Sequence, residues 1–264
     1  MAEQTYSQRI LVLKKTKLGE NDLILRCLTD RGELLEVLAK GARKPTNPFA
    51  TRLEIFSCSD VLLVSRKTLP IVKEAKIVTS FQDIRDSLEK TTAMTPAAEL
   101  LTFVAQTGLE HEQLFPMTQA ALTAATQASY DAVLSIGAAH LIKAMAMVGF
   151  MPNLTSCTIC EAPLVSDAAP GCLRSFSFAE GGLLCPRCQA THEHTSITTD
   201  VVNALHYTLQ SRFSHIQEHP LPPNLALEVL RFEQQWTVTH IERRLKSLDF
   251  LFSSNLWNNT SPTN

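Results

Sequence analysis

Short apolar runs separated by turn residues fill the first eighty positions of the chain. They fall at residues 9–13, 23–28, 34–39, 53–56, 61–64 and 71–78, with Gly, Asp, Asn and Pro clustered between them. No segment long enough for a crossover helix separates successive runs. The spacing therefore predicts a small barrel rather than alternating strands and helices. A five-stranded barrel of the OB type fits this length.

After about residue 82 the period lengthens. Ala97, Leu100, Leu101, Val104 and Ala105 lie at helical spacing behind Thr95-Pro96, read as a helix start. Val133, Ile136, Gly137, His140, Leu141, Ala144, Met145 and Val148 form a second stripe, ended by Gly149 and Pro152. The stretch 132–151 carries His140 and Lys143, so it reads as a buried helix and not a membrane span. Asp200 is placed to cap a third helix bearing Val201, Leu205, Leu209 and Phe213. A last helix is expected from Leu225 to Leu248, with Arg243, Arg244 and Lys246 at the negative end of its dipole. The expected fold class is α+β: a barrel over residues 1–81, then a helical domain over 82–264.

Charge changes this picture in one respect. The chain of 264 residues has a net charge of −2, but its first 80 residues hold 14 Lys and Arg against 9 Asp and Glu. A basic front on an acidic remainder assigns any polyanion contact to the barrel. Lys40, Arg43 and Lys44 cluster beside Gly41, where backbone and side chains can approach a phosphate together. Lys14, Lys15, Lys17, Arg52, Arg66 and Lys67 are further candidates for such a track. The competing reading of each is a cation on a solvated strand edge. Tyr6 and Phe49 are the nearest aromatic groups for base stacking, and each reads first as a core or linker residue.

Four of the seven cysteines form two pairs, Cys157-Thr-Ile-Cys160 and Cys185-Pro-Arg-Cys188. A two-residue spacer lets both thiolates of one turn face a common centre, and two such turns supply the tetrahedral sulfur set that Zn2+ prefers. Four sulfurs leave no open coordination position, so the expected role is structural, in a zinc-ribbon-like insertion at about 154–195. Cys172, His192 and His194 are spare ligands, whereas Cys27 and Cys58 lie in strand-like runs as small core residues. No GxxxxGK[ST] loop, GxGxxG turn, GxSxG elbow or HExxH helix is present. A binding protein is expected, not an enzyme. The start Met-Ala-Glu-Gln carries no basic flank before an apolar block, which leads us to expect a cytoplasmic protein.

Taken together, these residues resemble the RecO family of bacterial recombination mediators. The resemblance rests on Leu18-Gly-Glu-Asn-Asp-Leu-Ile24, Leu28-Thr-Asp-Arg-Gly32 and Ala39-Lys-Gly-Ala-Arg-Lys44 in the front. In the rear it rests on Gly149-Phe-Met-Pro152, both cysteine pairs, Glu180-Gly-Gly-Leu-Leu184 and the helix from Leu230-Arg-Phe232 to Leu245-Lys-Ser247. It implies an OB-fold front that binds single- and double-stranded DNA and anneals complementary strands. It also implies partners: RecR, the C-terminal tail of single-strand-binding protein, and RecA indirectly, loaded onto DNA in the bacterial nucleoid. Some members of that family lack the cysteines, which implies that zinc supports the fold. Glu161 stands where the family commonly has glycine after its first pair. The alternative is a zinc-ribbon scaffold that binds proteins and not DNA.

Overall fold

The computed structural model describes residues 4–164, 169, 171–254 and 256–257. The chain divides into two compact units, residues 1–126 and 127–264.

In the first unit five strands close a barrel: β1 (Thr5–Leu18), β2 (Asp22–Thr29), β3 (Leu34–Ala39), β4 (Cys58–Val64) and β5 (Ile71–Thr79), in the order β1-β2-β3-β5-β4. All neighbours are antiparallel except β3 and β5, which meet in parallel at Leu38 and Ile71. This is the OB arrangement expected from the spacing. Closure works because β1 is long: its first half pairs with β4 and its second with β2. Alternation then sorts the side chains. Leu23, Leu25 and Cys27 of β2 point inward with Ile10, Val12, Val37 and Leu63, while Arg26 stays outside and bonds Glu36 across β3 at 2.5 Å. Each fully buried aliphatic side chain contributes roughly 1.5–3 kcal/mol to this core.

The run 53–56 is not a strand. Leu53 follows a short helix α1 (Phe49–Arg52) into the barrel core, and Phe56 turns the chain with φ +68°. Apolar character there serves to plug the barrel, and a four-residue run carries no period to distinguish plug from strand.

Helices α2 (Gln82–Arg85), α3 (Leu88–Val104) and α4 (Leu114–Gln127) complete the unit. α3 starts earlier than Pro96 suggested. The Ser87 hydroxyl caps it by accepting the Lys90 N–H, and Pro96 lies inside it. The loop between α3 and α4 is tied to the β2–β3 turn: His111 N–H donates to Arg31 O at 3.0 Å and Leu34 N–H to Gln106 O at 3.3 Å. Gly32 permits this approach. A Cβ there would lie 2.0 Å from His111 O, and its φ is +79°.

The second unit is built around α5 (Tyr130–Met147), whose expected stripe is buried almost all round and which packs against α6 (Thr199–Gln210), α7 (Phe213–Glu218) and α8 (Pro223–Ile241). The α6 cap is Thr198, not Asp200; its hydroxyl accepts the Val201 N–H. The last helix is also shorter than its pattern. Glu242 takes the left-handed φ of +53°, and a separate α9 (Lys246–Ser253) follows. Gln234 makes the break by donating to Leu245 O and accepting the Leu245 N–H, at 3.1 and 3.0 Å. Arg243 and Arg244 therefore lie beyond α8, and Arg244 pairs with Asp249 at 2.6 Å. Among the described residues no helix is long and apolar enough to cross a membrane.

Two titratable groups are sealed inside this unit. Burial pushes His140 down to about 3, so its imidazole is neutral. Burial pushes the Glu233 carboxyl well above the usual carboxylate range, an effect the main chain at Ile142 offsets only in part. Neither Glu233 oxygen has a hydrogen-bond partner among the described residues. A carboxyl whose folded pKa is raised stabilises the fold fully below its unfolded pKa and loses that contribution as pH rises through the folded value. Stability is thus expected to decline above the ordinary carboxylate range. Glu233→Met should flatten that decline and raise stability at pH 7 by about 1–3 kcal/mol, the usual cost of an unsatisfied buried polar group. Urea titrations from pH 4 to 8 measure it, and parallel curves for the two proteins would refute it.

Candidate metal centre and nucleic-acid interface

Between α5 and α6 a three-stranded antiparallel sheet forms from β6 (Leu173–Ser177), β7 (Gly182–Leu184) and β8 (Thr195–Thr198), in the order β7-β6-β8. It is anchored by aromatic groups. Phe176 lies 5.0 Å from Phe232 and 6.0 Å from Trp236 of α8, ring centre to ring centre. Asn153 ties the first cysteine turn to β7 through Asn153 N–H to Gly181 O and Leu183 N–H to Asn153 O, at 2.9 and 3.0 Å. Gly182 makes that contact possible, since a Cβ on it would meet Asn153 at 2.7 Å. Thr158 N–H continues the pairing onto Leu183 O. Cys157 and Cys160 are thereby laid against Cys185, which follows directly on β7.

The four sulfurs of Cys157, Cys160, Cys185 and Cys188 lie within 4.8 Å of one another, and those of Cys160 and Cys185 are 3.7 Å apart. Zinc–sulfur bonds of about 2.3 Å in a tetrahedron require sulfur separations near 3.8 Å. The set could hold a metal ion, and the donor chemistry suits zinc. Burial raises the Cys157 thiol, but main-chain N–H groups at Cys185, Cys160 and Ile159 outweigh it and bring it to about 6. Cys188 goes the other way, pushed up to about 12 by burial and then by its sulfur neighbours. Four thiolates this close repel unless a cation sits among them. Cys172 is exposed, and His192 hydrogen-bonds the Cys188 carbonyl; neither belongs to the cluster.

Glu161 ends the first cysteine turn in the left-handed conformation, with φ +59°. Its N–H donates to Cys157 O at 2.8 Å, and Cys157 N–H to Ala162 O at 2.9 Å. The turn thus has the shape that glycine adopts without strain. A side chain there costs about 1–2 kcal/mol, against which glycine loses some backbone entropy on folding. Glu161→Gly is expected to stabilise the second unit by up to about 1 kcal/mol. Melting of the metal-loaded protein measures this, and a lowered midpoint would contradict it.

On the barrel, the end of β3 is where three turns meet. Ala39 stands opposite Leu23 at the start of β2, and Leu38 opposite Ile71 at the start of β5. Leu38 N–H donates to Pro70 O at 2.8 Å, which ties in the β4–β5 turn. The segment after β3 is pinned to the β1–β2 turn. Gly41 N–H donates to the Asp22 carboxylate at 2.7 Å and Arg43 N–H to Asn21 O at 2.9 Å. The Arg43 guanidinium donates to Gly19 O and Glu20 O at 3.0 and 2.7 Å. Gly41 has φ +66°, which bends the loop back. Lys40, Arg43 and Lys44 are all exposed on this one loop, beside exposed Lys17 at the end of β1 and exposed Arg66 and Lys67 in the β4–β5 turn.

Three candidates lie elsewhere. Lys14 faces outward on β1, opposite Arg26. Lys15 turns to the other side, opposite Leu25, and its ammonium is held by Glu54 at 2.6 Å. Arg52, on α1, donates to Ala75 O at 3.0 Å. Sequence reasoning missed Lys73 and Lys76, which are exposed on β5. Strict alternation along β5 would set Lys73 and Lys76 on opposite faces, so the strand period carried no signal that both are exposed.

With this geometry in place, comparison with known proteins gives a consistent result. The family description "Recombination protein O N terminal" matches residues 1–81, and "Recombination protein O C terminal" matches residues 85–249. Two proteins named DNA repair protein RecO, from Bifidobacterium longum strains DJO10A and NCC 2705, are each 29% identical over 252 residues. The match covers 94% of this chain and 99% of each relative.

Proposed function

The chain belongs to the RecO family of DNA repair proteins, and on that premise we propose that it is a recombination mediator that anneals DNA. In this reading it binds single- and double-stranded DNA and pairs complementary strands. With RecR it helps load RecA onto DNA covered by single-strand-binding protein, whose C-terminal tail it contacts. It works in the bacterial cytoplasm at the nucleoid. Residues 1–81 hold the nucleic acid, and residues 82–264 give the helical body, with the cysteine-bearing insertion at about 154–195 folded around structural zinc.

The observation that carries the proposal is the grouping of Lys40, Arg43 and Lys44 on one loop next to Arg66 and Lys67. Cations fixed at one rim of a barrel match the phosphate spacing of a flexible strand better than scattered ones. Neutralising two strands lowers their repulsion and raises their local concentration. Annealing of this kind needs no catalytic group and no nucleotide. Lys14, Lys15 and Arg52 are the outer members of the proposed track. Of these, Lys15 is the least available, since Glu54 already holds it.

A strand-annealing assay with complementary oligonucleotides tests the proposal, run with and without ATP and from low to high salt. Acceleration that is independent of ATP and falls with salt is the expected result. Absence of DNA binding at low salt would instead favour a protein-binding scaffold.

A further inference from the structure

The barrel wall beyond the rim carries an open groove of about 550 Å³ between α1 and the outer face of β4 and β5. Phe49 and Pro48 line one side, and Arg52, Lys73 and Lys76 supply its cations. Two carboxylates share the groove, Asp60 and Glu74. Asp60 is already engaged: Arg9 grips both of its oxygens, at 2.7 and 3.0 Å. Three cations share the groove with two carboxylates, so it is net positive in a chain that is net negative.

Two features aim these cations. The register of β4 and β5 slips between Leu62 and Leu63, so that Leu62 faces Glu74 while Leu63 faces Val72. Lys73 is the extra residue of that bulge, and bulges re-aim the side chains they carry. The Arg52 guanidinium is held over β5 by its bond to Ala75 O, which fixes it in place before any ligand arrives. The groove also continues from the rim. β5 begins directly after the turn that carries Arg66 and Lys67, and Lys73 and Lys76 follow along the same strand. At about 3.3 Å per residue, Ile71 to Lys76 extends the positive path by roughly 17 Å.

We infer that the α1–β5 groove is a second contact site for the phosphodiester chain, taking the part of a single strand that runs on past the rim. Lys73 and Lys76 are its principal phosphate ligands, and Phe49 gives one apolar wall to sugar or base. This rests on the reading of the barrel as a nucleic-acid-binding unit. It adds a length-dependent site that the rim by itself does not provide.

The test is fluorescence anisotropy with oligothymidylates of increasing length, on the full-length protein, Lys73→Ala/Lys76→Ala and Lys40→Ala/Arg43→Ala/Lys44→Ala. Both lysines are exposed, so the double variant should fold, and circular dichroism melting checks it. The double variant should keep wild-type affinity for the shortest strands and lose the gain that longer strands bring. Its slope of log affinity against log salt should fall by about 1.4, or ~0.7 for each lost phosphate contact on a single strand. Wild-type protein that gains affinity with length, with the double variant matching it in affinity and slope, overturns the groove and leaves the rim reading standing. Wild-type protein that binds no strand of any length overturns the underlying reading, and the groove with it. A parallel titration with polyglutamate covers the other occupant. Loss of polyglutamate binding with unchanged DNA binding would make the groove an acidic-peptide site and overturn the inference.

Discussion

Removing the metal from the four-cysteine centre, by chelation or by Cys185→Ser, is expected to unfold the insertion and lower the melting temperature of the second unit. The reason is the small size of what a zinc ion there would hold together. The sheet has three strands of five, three and four residues. Its buried side chains next to the sulfurs are few, with Leu184 the main apolar one. A core that size supplies little of its own folding energy, whereas zinc in small peptides contributes apparent energies of about 10–16 kcal/mol. The aromatic anchor on Phe232 and Trp236 retains part of that in the whole protein. We therefore expect a drop of several kcal/mol and not complete unfolding. Metal analysis should find one zinc per chain, and circular dichroism melts with and without chelator should separate. Metal-free protein with an unaltered melt would end the structural-zinc reading. DNA binding by the chelated protein should persist, since the barrel lies in the other compact unit.

Replacing Lys40, Arg43 and Lys44 together by alanine should weaken single-strand binding roughly 100-fold at 0.1 M salt, as about 0.7 unit of salt slope disappears with each phosphate released. The hydrogen bonds of Arg43 refine the expectation. Its guanidinium already serves two carbonyls of the β1–β2 turn, so it gives fewer donors to phosphate than either lysine. Lys40→Ala/Lys44→Ala should then show most of the loss, with a slope lower by about 1.4. Arg43→Ala should act chiefly by loosening the loop. Anisotropy titrations across salt distinguish these contributions, and a triple variant with wild-type affinity and slope would remove the rim from the binding track.

Much of this protein was legible from local pattern. Five of the six apolar runs became strands, and alternation along β2 follows from which wall of a sheet is wet. The cysteine pairs were legible for a similar reason, since the spacing that lets two sulfurs share a centre is contained in one turn. The α5 stripe was recognisable because eighteen residues hold several helical periods. Failures came where the signal was short or indirect. In the run 53–56 Leu53 fills the barrel core, and the final helix breaks at Glu242 because a side chain eight residues earlier holds Leu245.

The sequence by itself determined a basic small barrel, a helical body and a four-sulfur centre, for each is written in the spacing of near neighbours. Only the tertiary structure decided which cations share a surface. Lys15 and Arg52 left the rim, Lys40, Arg43 and Lys44 were bound to it, and Lys73 and Lys76 emerged beside α1. Such groupings depend on barrel closure and strand register, set by pairings between residues tens of positions apart. A charged side chain in a linear sequence carries no mark of the partner strand that will turn it toward solvent, a carboxylate or a groove.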